Sequence, residues 1–200
     1  MRNVNDGVGM VNTGEGALQE VHAMLHRLET LAIESANGTY NSIARANVEQ
    51  EKNEILAEID RICENTNFNG NPVFDSSMAD LTIEPPQPSE KGDFQFQIGP
   101  SDEEIMEVPC YHLGVQALKL DQMKFGTSEG ANEAINTLAT AVQAVTRVRS
   151  EFGAAQNHLD CTYNNLSVTT ENMTAAESRI RDTDMPDEIT KFTSQSILMQ

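Results

Sequence analysis

The chain contains 200 residues with a formal net charge of −18, and its residues are 38% hydrophobic and only 5% aromatic, with no tryptophan. The acidic balance argues against nucleic acid or an anionic membrane surface as a partner, since both attract Lys and Arg, and the few aromatic side chains argue against a broad globular core. No apolar run approaches the roughly 20 residues of a transmembrane helix. The N-terminus has neither the basic region nor the apolar core of a signal peptide.

The first predicted helix covers residues 4–36. Its apolar residues recur every three or four positions, which is the spacing typical of a coiled-coil seam. The seam residues are Val4, Val11, Leu18, Val21, Leu25, Leu28 and Ala32. No predicted strand precedes Gly7, Gly9 and Gly14, so these glycines do not form a dinucleotide-binding fingerprint. We expect them to allow close approach of another helix.

A second helix is predicted over residues 43–65, after the turn signal Asn37-Gly38. Charged residues cover one side of this helix, and apolar residues cover the other. The apolar side contains Val48, Ile55, Ile59 and Ile62. Because the connection between the two helices is short, they should pack antiparallel.

The character of the sequence changes after residue 65, where Asn69-Gly70 favours a tight reversal. Short runs with the alternation of half-buried strands follow. These runs are LTIE at 81–84, FQFQI at 94–98 and IMEV at 105–108. We interpret residues 75–109 as a small, exposed β-hairpin region. The whole stretch of residues 75–128 is predicted to be a short β-hairpin or variable region between the two helical halves.

A very long third helix is predicted from about Ala131 to Met185, where the sequence contains no proline and one glycine. Apolar residues along it follow the three- and four-residue spacing of a helix face, and Arg149 and Gln156 interrupt this spacing. The apolar residues are Ile135, Leu138, Val142, Val145, Phe152, Leu159, Tyr163, Leu166, Met173 and Ile180. A helix of ~50 residues is roughly 75 Å long. The sequence therefore predicts a mainly α, elongated rod of three long helices, with residues 1–74 and 129–200 as its N-terminal and C-terminal halves.

Residues that could carry chemistry are few. His22 and His26 have the i, i+4 spacing that can place two imidazoles on one metal ion, but the zincin pattern requires Glu directly after the first His, and Ala23 stands there. Two solvated or partly packed histidines are the favoured interpretation. His112 and His158 are single and lack a nucleophile-elbow setting. We therefore expect no catalytic, metal or cofactor site, and no enzyme.

The chain has three cysteines, Cys63, Cys110 and Cys161. An odd number leaves at least one thiol free, and the absence of a CxxC pair disfavours a zinc ribbon or a redox dithiol. Cys63 and Cys161 lie on predicted helices, where buried free thiols are expected.

Several blocks of the sequence resemble bacterial flagellin. In residues 2–74 they are RNVNDGVGMVNTGEGALQEV, LHRLETLAIESAN and AEIDRICENTNFNG. In residues 131–200 they are VRSEFGAAQNHLDCTYNNL and ENMTAAESRIRDTDMPDEITKFTSQSILMQ, and FQFQIG resembles a further strand of the family. On these blocks the sequence is identified as a member of the flagellin family. Pro186 departs from the pattern, and we expect it to bend or restart the last helix.

The resemblance implies a secreted structural protein that assembles with other flagellin subunits into the extracellular filament used for motility, with an export chaperone as a further partner. A hook–filament junction protein of the same superfamily is the alternative, although TAAESRIRDTDM and FNG favour flagellin. The resemblance also implies a rod domain without the two terminal coiled-coil segments of the family. Without those segments, we expect the fragment not to polymerise.

The resemblance further implies recognition by an innate immune receptor of animals, Toll-like receptor 5. Carried over by position, the receptor-binding residues are Arg27, Leu31 and Glu51, with Leu28, Glu29, Thr30 and Glu34 nearby. An Arg beside an apolar contact suits a binding hot spot. Glu29 replaces an Arg of the family pattern and Thr30 replaces an acidic residue. Since a reversed charge can cost several kcal/mol in an interface, we expect weakened recognition.

Overall fold

The computed structural model describes residues 1–75, 93–99, 101–181 and 185–199. Within these ranges, four helices account for most of the chain. They are α1 (Arg2–Ala36), α2 (Ser42–Asn65), α3 (Ser128–Arg181) and α4 (Met185–Met199). No helix in the described ranges has both the length and the hydropathy to cross a bilayer. The mainly α fold with one very long C-terminal helix is as the sequence predicts.

The structure describes the predicted third helix and the residues that follow it in two parts. It begins at Ser128, and its described part ends at Arg181, while a separate helix begins at Met185 with Pro186 in its first turn. Proline is tolerated in a first turn because the N–H it lacks has no intrahelical acceptor there, whereas in a helix interior it removes a hydrogen bond. The bend or restart expected at Pro186 stays a prediction, because residues 182–184 lie outside the described residues.

The rod is held together by antiparallel packing of α1 on α3. At one end the Ser128 hydroxyl donates to the Ala36 carbonyl at 2.8 Å, and near the other end Gly7 lies against Leu159. All seven predicted seam residues of α1 are buried. They pack against a heptad series on α3 that consists of Ala131, Leu138, Val145, Phe152 and Leu159.

Arg149 interrupts the apolar spacing of α3 because it forms an ion pair with α1. Its guanidinium donates to Glu15 Oε1 of α1 from Nη2 at 2.6 Å and from Nε at 2.9 Å. Both side chains are about one-third exposed, at 31% and 32%. A geometry with two donors on one acceptor fixes the relative position of the two helices more than a single contact would.

The glycines of α1 allow close approach, as the sequence predicts. A Cβ added at Gly14 would overlap the Phe152 ring and lie 3.0 Å from Val73 Cγ1. A Cβ added at Gly7 would lie 3.3 Å from Leu159 Cδ1. The absence of side chains on α1 at these levels makes room for the two largest buried side chains at this end of α3.

Helix α2 packs antiparallel on α1. The Arg45 guanidinium donates to the Ser35 carbonyl at 3.0 Å close to the connecting turn, and Arg27 pairs with Glu51 further along the helices. At the start of α2, Asn41 is the N-cap residue, and its side chain accepts from the Ala44 amide at 2.8 Å. The apolar side of α2 turns inward, and Leu56 and Cys63 are buried in addition to Val48 and Ile59.

Three two-stranded ladders occupy the described middle of the chain. β1 (Asn67–Phe68) and β2 (Asn71–Pro72) form a hairpin, β3 (Phe74–Asp75) pairs in parallel with β6 (Tyr111–His112), and β4 (Phe94–Gln97) pairs antiparallel with β5 (Ile105–Val108). Positive φ angles at Asn69 and Gly70 produce the predicted reversal. The predicted strands at 94–98 and 105–108 are confirmed, and the one at 81–84 lies outside the described residues.

Residues 113–127, which fall within the predicted variable region 75–128, belong to the core. This segment contributes buried side chains at Leu113, Val115, Leu118, Leu120, Met123 and Phe125. Polar groups of α2 bind its backbone: the Lys52 ammonium donates to the Met123 carbonyl at 2.8 Å, and Glu49 Oε2 accepts from the Phe125 amide at 2.6 Å. The segment has no helical or strand periodicity, so only tertiary contacts identify it as core.

None of the three cysteines forms a disulfide bond. Cys63 is buried as expected, and burial, assisted by Asp60 and Glu64, raises the pKa of its thiol to about 12. Cys161 is exposed, so the expectation of a buried thiol there is wrong. Its position on α3 faces away from α1.

We predict that Gly14→Ala destabilises the rod while Gly16→Ala stabilises it. A methyl group at position 14 would displace Phe152, and such overpacking costs about 1–3 kcal/mol. Nothing lies within 4 Å of a Cβ at position 16, so there the better helix propensity of Ala should contribute about 0.5–1 kcal/mol. Urea titration followed by circular dichroism measures both free energies of unfolding. Equal effects of the two substitutions would contradict close packing at Gly14.

Candidate interaction surfaces

Helix α3 is much longer than the helix that covers it. Because Gly7 of α1 lies against Leu159, the antiparallel register places the start of α1 opposite roughly residue 164, which leaves about 17 residues, or ~25 Å, of α3 beyond it. From Ser167 to Met199, every described residue except Ser196 is exposed. The end of α3 and all of α4 therefore have a large surface available to other molecules.

This surface is rich in apolar side chains, which we name the C-terminal apolar set. The set comprises Val168, Met173, Ile180, Met185, Ile189, Phe192, Ile197, Leu198 and Met199, with exposures from 56% to 86%. Met173 and Ile180 continue the predicted seam, yet they have no buried contact among the described residues. The prediction that they are core residues of this chain is wrong, because α1 does not reach them.

Exposure on this scale points to binding. Isolated apolar residues on a surface are ordinary, but a continuous series along two helices is typical of an interaction site. Ile189 and Phe192 follow Met185 at four and three residues, which is the spacing by which one helix packs on another. Burial of each such side chain against a partner would contribute about 1.5–3 kcal/mol.

The residues expected to bind a receptor lie near the opposite end of α1, and the structure brings two of them together. Arg27 donates to Glu51 Oε1 from Nη2 at 2.6 Å and from Nε at 2.8 Å. The two side chains remain 51% and 42% exposed. A pair this exposed adds at most about 1 kcal/mol to stability, but it orients the guanidinium across α1 and α2.

Leu31 and Leu28 do not belong to this surface. Leu31 is 1% exposed and Leu28 is 0% exposed, because both face the core between the helices. The role of Leu31 in receptor binding stays a prediction, and within the monomer its side chain belongs to the core. Leu31 supports the backbone of the surface from beneath.

The exposed part of this surface consists of polar groups that already have partners on α1 or beside it. Glu29 Oε2 accepts a hydrogen bond from His26 Nδ1 at 3.1 Å, and the Thr30 hydroxyl donates to the His26 carbonyl at 3.0 Å. Glu34 accepts from the Tyr40 hydroxyl at 3.4 Å. A partner would meet acidic groups next to Arg27.

His22 and His26 form a close pair, which sequence spacing indicated only as an option. Their Nε2 atoms are 3.1 Å apart, and the rings meet edge to face with centroids separated by 4.6 Å. Partial burial, the adjacent His26 and the charge of Arg149 lower the pKa of His22. His22 is therefore held in its neutral form near pH 7 more than a free imidazole would be.

A groove of about 510 Å³ lies between α1 and the strands, lined mainly by Met10, Phe68, Phe94 and Phe96, with Asp6 at its edge. Among the described lining residues Asp6 is the only titratable group, so the groove contains no acid–base pair. Nothing in the groove resembles the convergent polar groups of a catalytic site.

Comparison with known proteins identifies both ends of the chain. The model of the bacterial flagellin N-terminal helical region matches residues 1–79, and that of the bacterial flagellin C-terminal helical region matches residues 135–200. The flagellin of Halalkalibacterium halodurans is 34% identical over all of this chain and 69% of its own length. The flagellar filament 31.3 kDa core protein of Treponema maltophilum is 33% identical over all of this chain and 71% of its own length.

Solved structures share the fold. The crystal structure of Bacillus cereus flagellin superposes with a TM-score of 0.69 at 30% identity and covers 88% of this chain and 94% of its own. Bacillus cereus FlgL superposes with a TM-score of 0.63 at 18% identity and covers 86% of this chain and 89% of its own. At that lower identity the likeness shows the fold alone.

We predict that two phenylalanines, one on each side of the point where α1 begins, differ sharply in their contribution to stability. Phe152→Ala should lower the free energy of unfolding by about 3–5 kcal/mol, since it empties a buried site. Phe192→Ala should change it by less than about 0.5 kcal/mol, because Phe192 is 72% exposed. Denaturant titrations of the isolated chain test this. A cost at Phe192 comparable with that at Phe152 would show that α4 packs within the monomer.

Proposed function

The chain belongs to the bacterial flagellin family, and we propose that it is built into the flagellar filament through its C-terminal apolar set and the sides of its rod. Members of the family form the extracellular filament and reach it by secretion, and this chain is a structural protein of the same kind. Its relatives include proteins named flagellin and flagellar filament core protein. The partners in the filament are other flagellin subunits.

The proposal rests on the C-terminal apolar set, which is exposed because it lies beyond the N-terminal end of α1. A protein that functions alone would have to keep these side chains in water, whereas a filament subunit buries them against its neighbours. Lateral contacts repeated from subunit to subunit generate an open helical assembly when the rotation between subunits does not close a ring. Many modest contacts then add up along each row of subunits.

The charge of the chain opposes association and sets a condition for it. Each chain carries a formal charge of −18, so neighbouring subunits repel one another unless ions screen the charge or basic groups face acidic ones. Apolar burial must outweigh this repulsion. The rod sides contain exposed Arg residues, such as Arg61 on α2, that can face acidic groups of a neighbour.

An export chaperone is a further proposed partner. Before assembly the apolar side chains of α4 have no cover within the described chain, and exposed apolar stretches promote aggregation. A chaperone that binds an amphipathic helix in a groove would match the spacing of Ile189 and Phe192.

A hook–filament junction protein is the second candidate function. The rod of FlgL has the same fold, so the fold itself does not separate the two roles. The relatives at 30% identity or more that are named above are flagellins and filament core proteins. Sequence similarity therefore supports the filament subunit.

We also propose that Toll-like receptor 5 recognises the surface formed by Arg27, Glu29, Thr30, Glu34 and Glu51. In support of this, Arg27 is half exposed and is oriented by Glu51. Glu29 places a carboxylate where the family pattern has Arg, and it is already hydrogen-bonded to His26. Recognition should accordingly be weak, because a receptor surface suited to Arg would meet a negative charge.

Filament assembly is tested with a chimera in which this chain replaces the matching part of Bacillus subtilis flagellin, which is 33% identical over 223 aligned residues. We expect filaments by electron microscopy from the parent chimera in a flagellin-null host. We expect none, or short ones, from Phe192→Ser, since a polar side chain removes part of the apolar contact. Lys191→Ser is the control, because Lys191 makes only a surface ion pair at 3.8 Å. Normal filaments from Phe192→Ser would contradict the role of the apolar set.

Receptor recognition is tested by surface plasmon resonance with the purified Toll-like receptor 5 ectodomain. Arg27→Ala should weaken binding at least tenfold, and the double variant Glu29→Arg, Thr30→Glu should strengthen it about tenfold or more, corresponding to ~1.4 kcal/mol or more. Arg61→Ala is the control, since Arg61 is also an exposed, ion-paired arginine but lies elsewhere on α2. Binding that Arg27→Ala leaves unchanged would place the receptor site elsewhere or show that there is none.

A further inference from the structure

We propose that His22 and His26 form a surface site for one divalent transition-metal ion of the Cu²⁺, Ni²⁺ and Zn²⁺ class. The ion would be held by the two Nε2 atoms, with water completing its coordination. This site is proposed without reference to filament assembly or receptor binding, although Glu29 belongs both to the site and to the proposed receptor surface. The spacing of the two histidines on α1 favours only solvated side chains. The proposal of a metal site rests instead on the positions of the two rings.

The separation of the two nitrogens matches that of two ligands on one metal ion. Their Nε2 atoms are 3.1 Å apart. Two imidazole nitrogens at 2.0–2.1 Å from a metal ion are about 2.9 Å apart at a right angle and about 3.3 Å apart at a tetrahedral angle. The pair thus lies within this range before any metal arrives. Rotation of the two rings would place an ion between the two nitrogens in place of the shared proton.

Glu29 sets the correct tautomer of His26. Its carboxylate is 3.1 Å from His26 Nδ1, and because a carboxylate accepts only, Nδ1 carries the proton of the neutral ring. The Nε2 lone pair of His26 is therefore available to a metal. A carboxylate behind a metal-binding histidine is the usual arrangement in metal sites, since it fixes the ring and raises its basicity.

His22 is the adaptable member of the pair. In the metal-free neutral pair its Nε2 must donate to the lone pair of His26, which leaves its buried Nδ1 without a hydrogen-bond partner among the described residues. Moving the proton from Nε2 to Nδ1 frees the second nitrogen for the metal and releases no net proton. The nearby charge of Arg149 opposes a cation at this position, and its ion pair with Glu15 offsets part of that charge.

The ligand set also indicates which ions bind. Imidazole suits Cu²⁺, Ni²⁺ and Zn²⁺, whereas Mg²⁺ and Ca²⁺ prefer oxygen ligands, and affinity among these ions is highest for Cu²⁺. No group of three or more His, Cys, Asp or Glu side chains that could hold a metal occurs among the described residues. Binding should therefore be moderate, with a Kd of about 1–100 µM, and it should be specific to this pair.

The test is isothermal titration of NiCl2 into the 200-residue chain at pH 7.5. Cys161→Ser is the background, because the exposed thiol of Cys161 is a competing ligand. We expect one Ni²⁺ per chain. His22→Gln and His26→Gln should each weaken binding at least tenfold, and Glu29→Gln should weaken it about tenfold or more. His158→Gln is the matched control, since His158 is also exposed on a helix but has no second histidine beside it.

The outcomes separate a site from surface adhesion. Binding lost in both single variants and kept in His158→Gln establishes the pair, provided that circular dichroism shows unchanged helix content. No saturable binding by the parent chain would overturn the proposal. So would binding that His22→Gln leaves intact, or binding that His158→Gln weakens as much as His22→Gln does, because the ion would then be held by other groups.

Discussion

The rod depends on the contact between α1 and α3, in which Phe152 and Leu159 occupy spaces that Gly14 and Gly7 leave open. Close packing here sets the distance between the two helices, and the Arg149–Glu15 pair sets their register. Every other feature follows from that register. It determines which end of α3 is covered, and it brings the turn after α1 next to the first residues of α3.

The remaining core is completed by a segment without regular structure. Residues 113–127 cover the apolar side of α2, and the buried Lys52 and half-buried Glu49 satisfy their backbone groups. Buried backbone outside helices and strands requires such partners, because an unpaired amide or carbonyl away from water is costly. Polar residues inside α2 thus have a structural purpose that a purely apolar pattern would not supply.

One continuous apolar pattern serves two purposes along α3 and α4. Up to Leu159 it stabilises the monomer, and from Val168 onward it is exposed to solvent. The change from buried to exposed apolar residues occurs where α1 begins, because α3 has no partner residues on α1 beyond that point. The chain thus buries one part of the pattern within the monomer and leaves the other part exposed, while the far end of α1, together with Glu51 of α2, presents a polar surface at Arg27 and the histidine pair.

The sequence by itself determined the helical rod, because a 3-4 apolar spacing has few other solutions, and the quoted blocks were enough to identify the family. The reversal at Asn69-Gly70 followed from local backbone preferences. Only the tertiary structure decided which apolar residues are buried. Leu31 is core although its neighbours are surface, and Met173 and Cys161 are exposed although they lie on the same helix as Phe152. Spacing along one helix gives the direction of a side chain but not the length of the partner that covers it, and for the same reason only the folded chain shows that the His22 and His26 nitrogens meet at 3.1 Å.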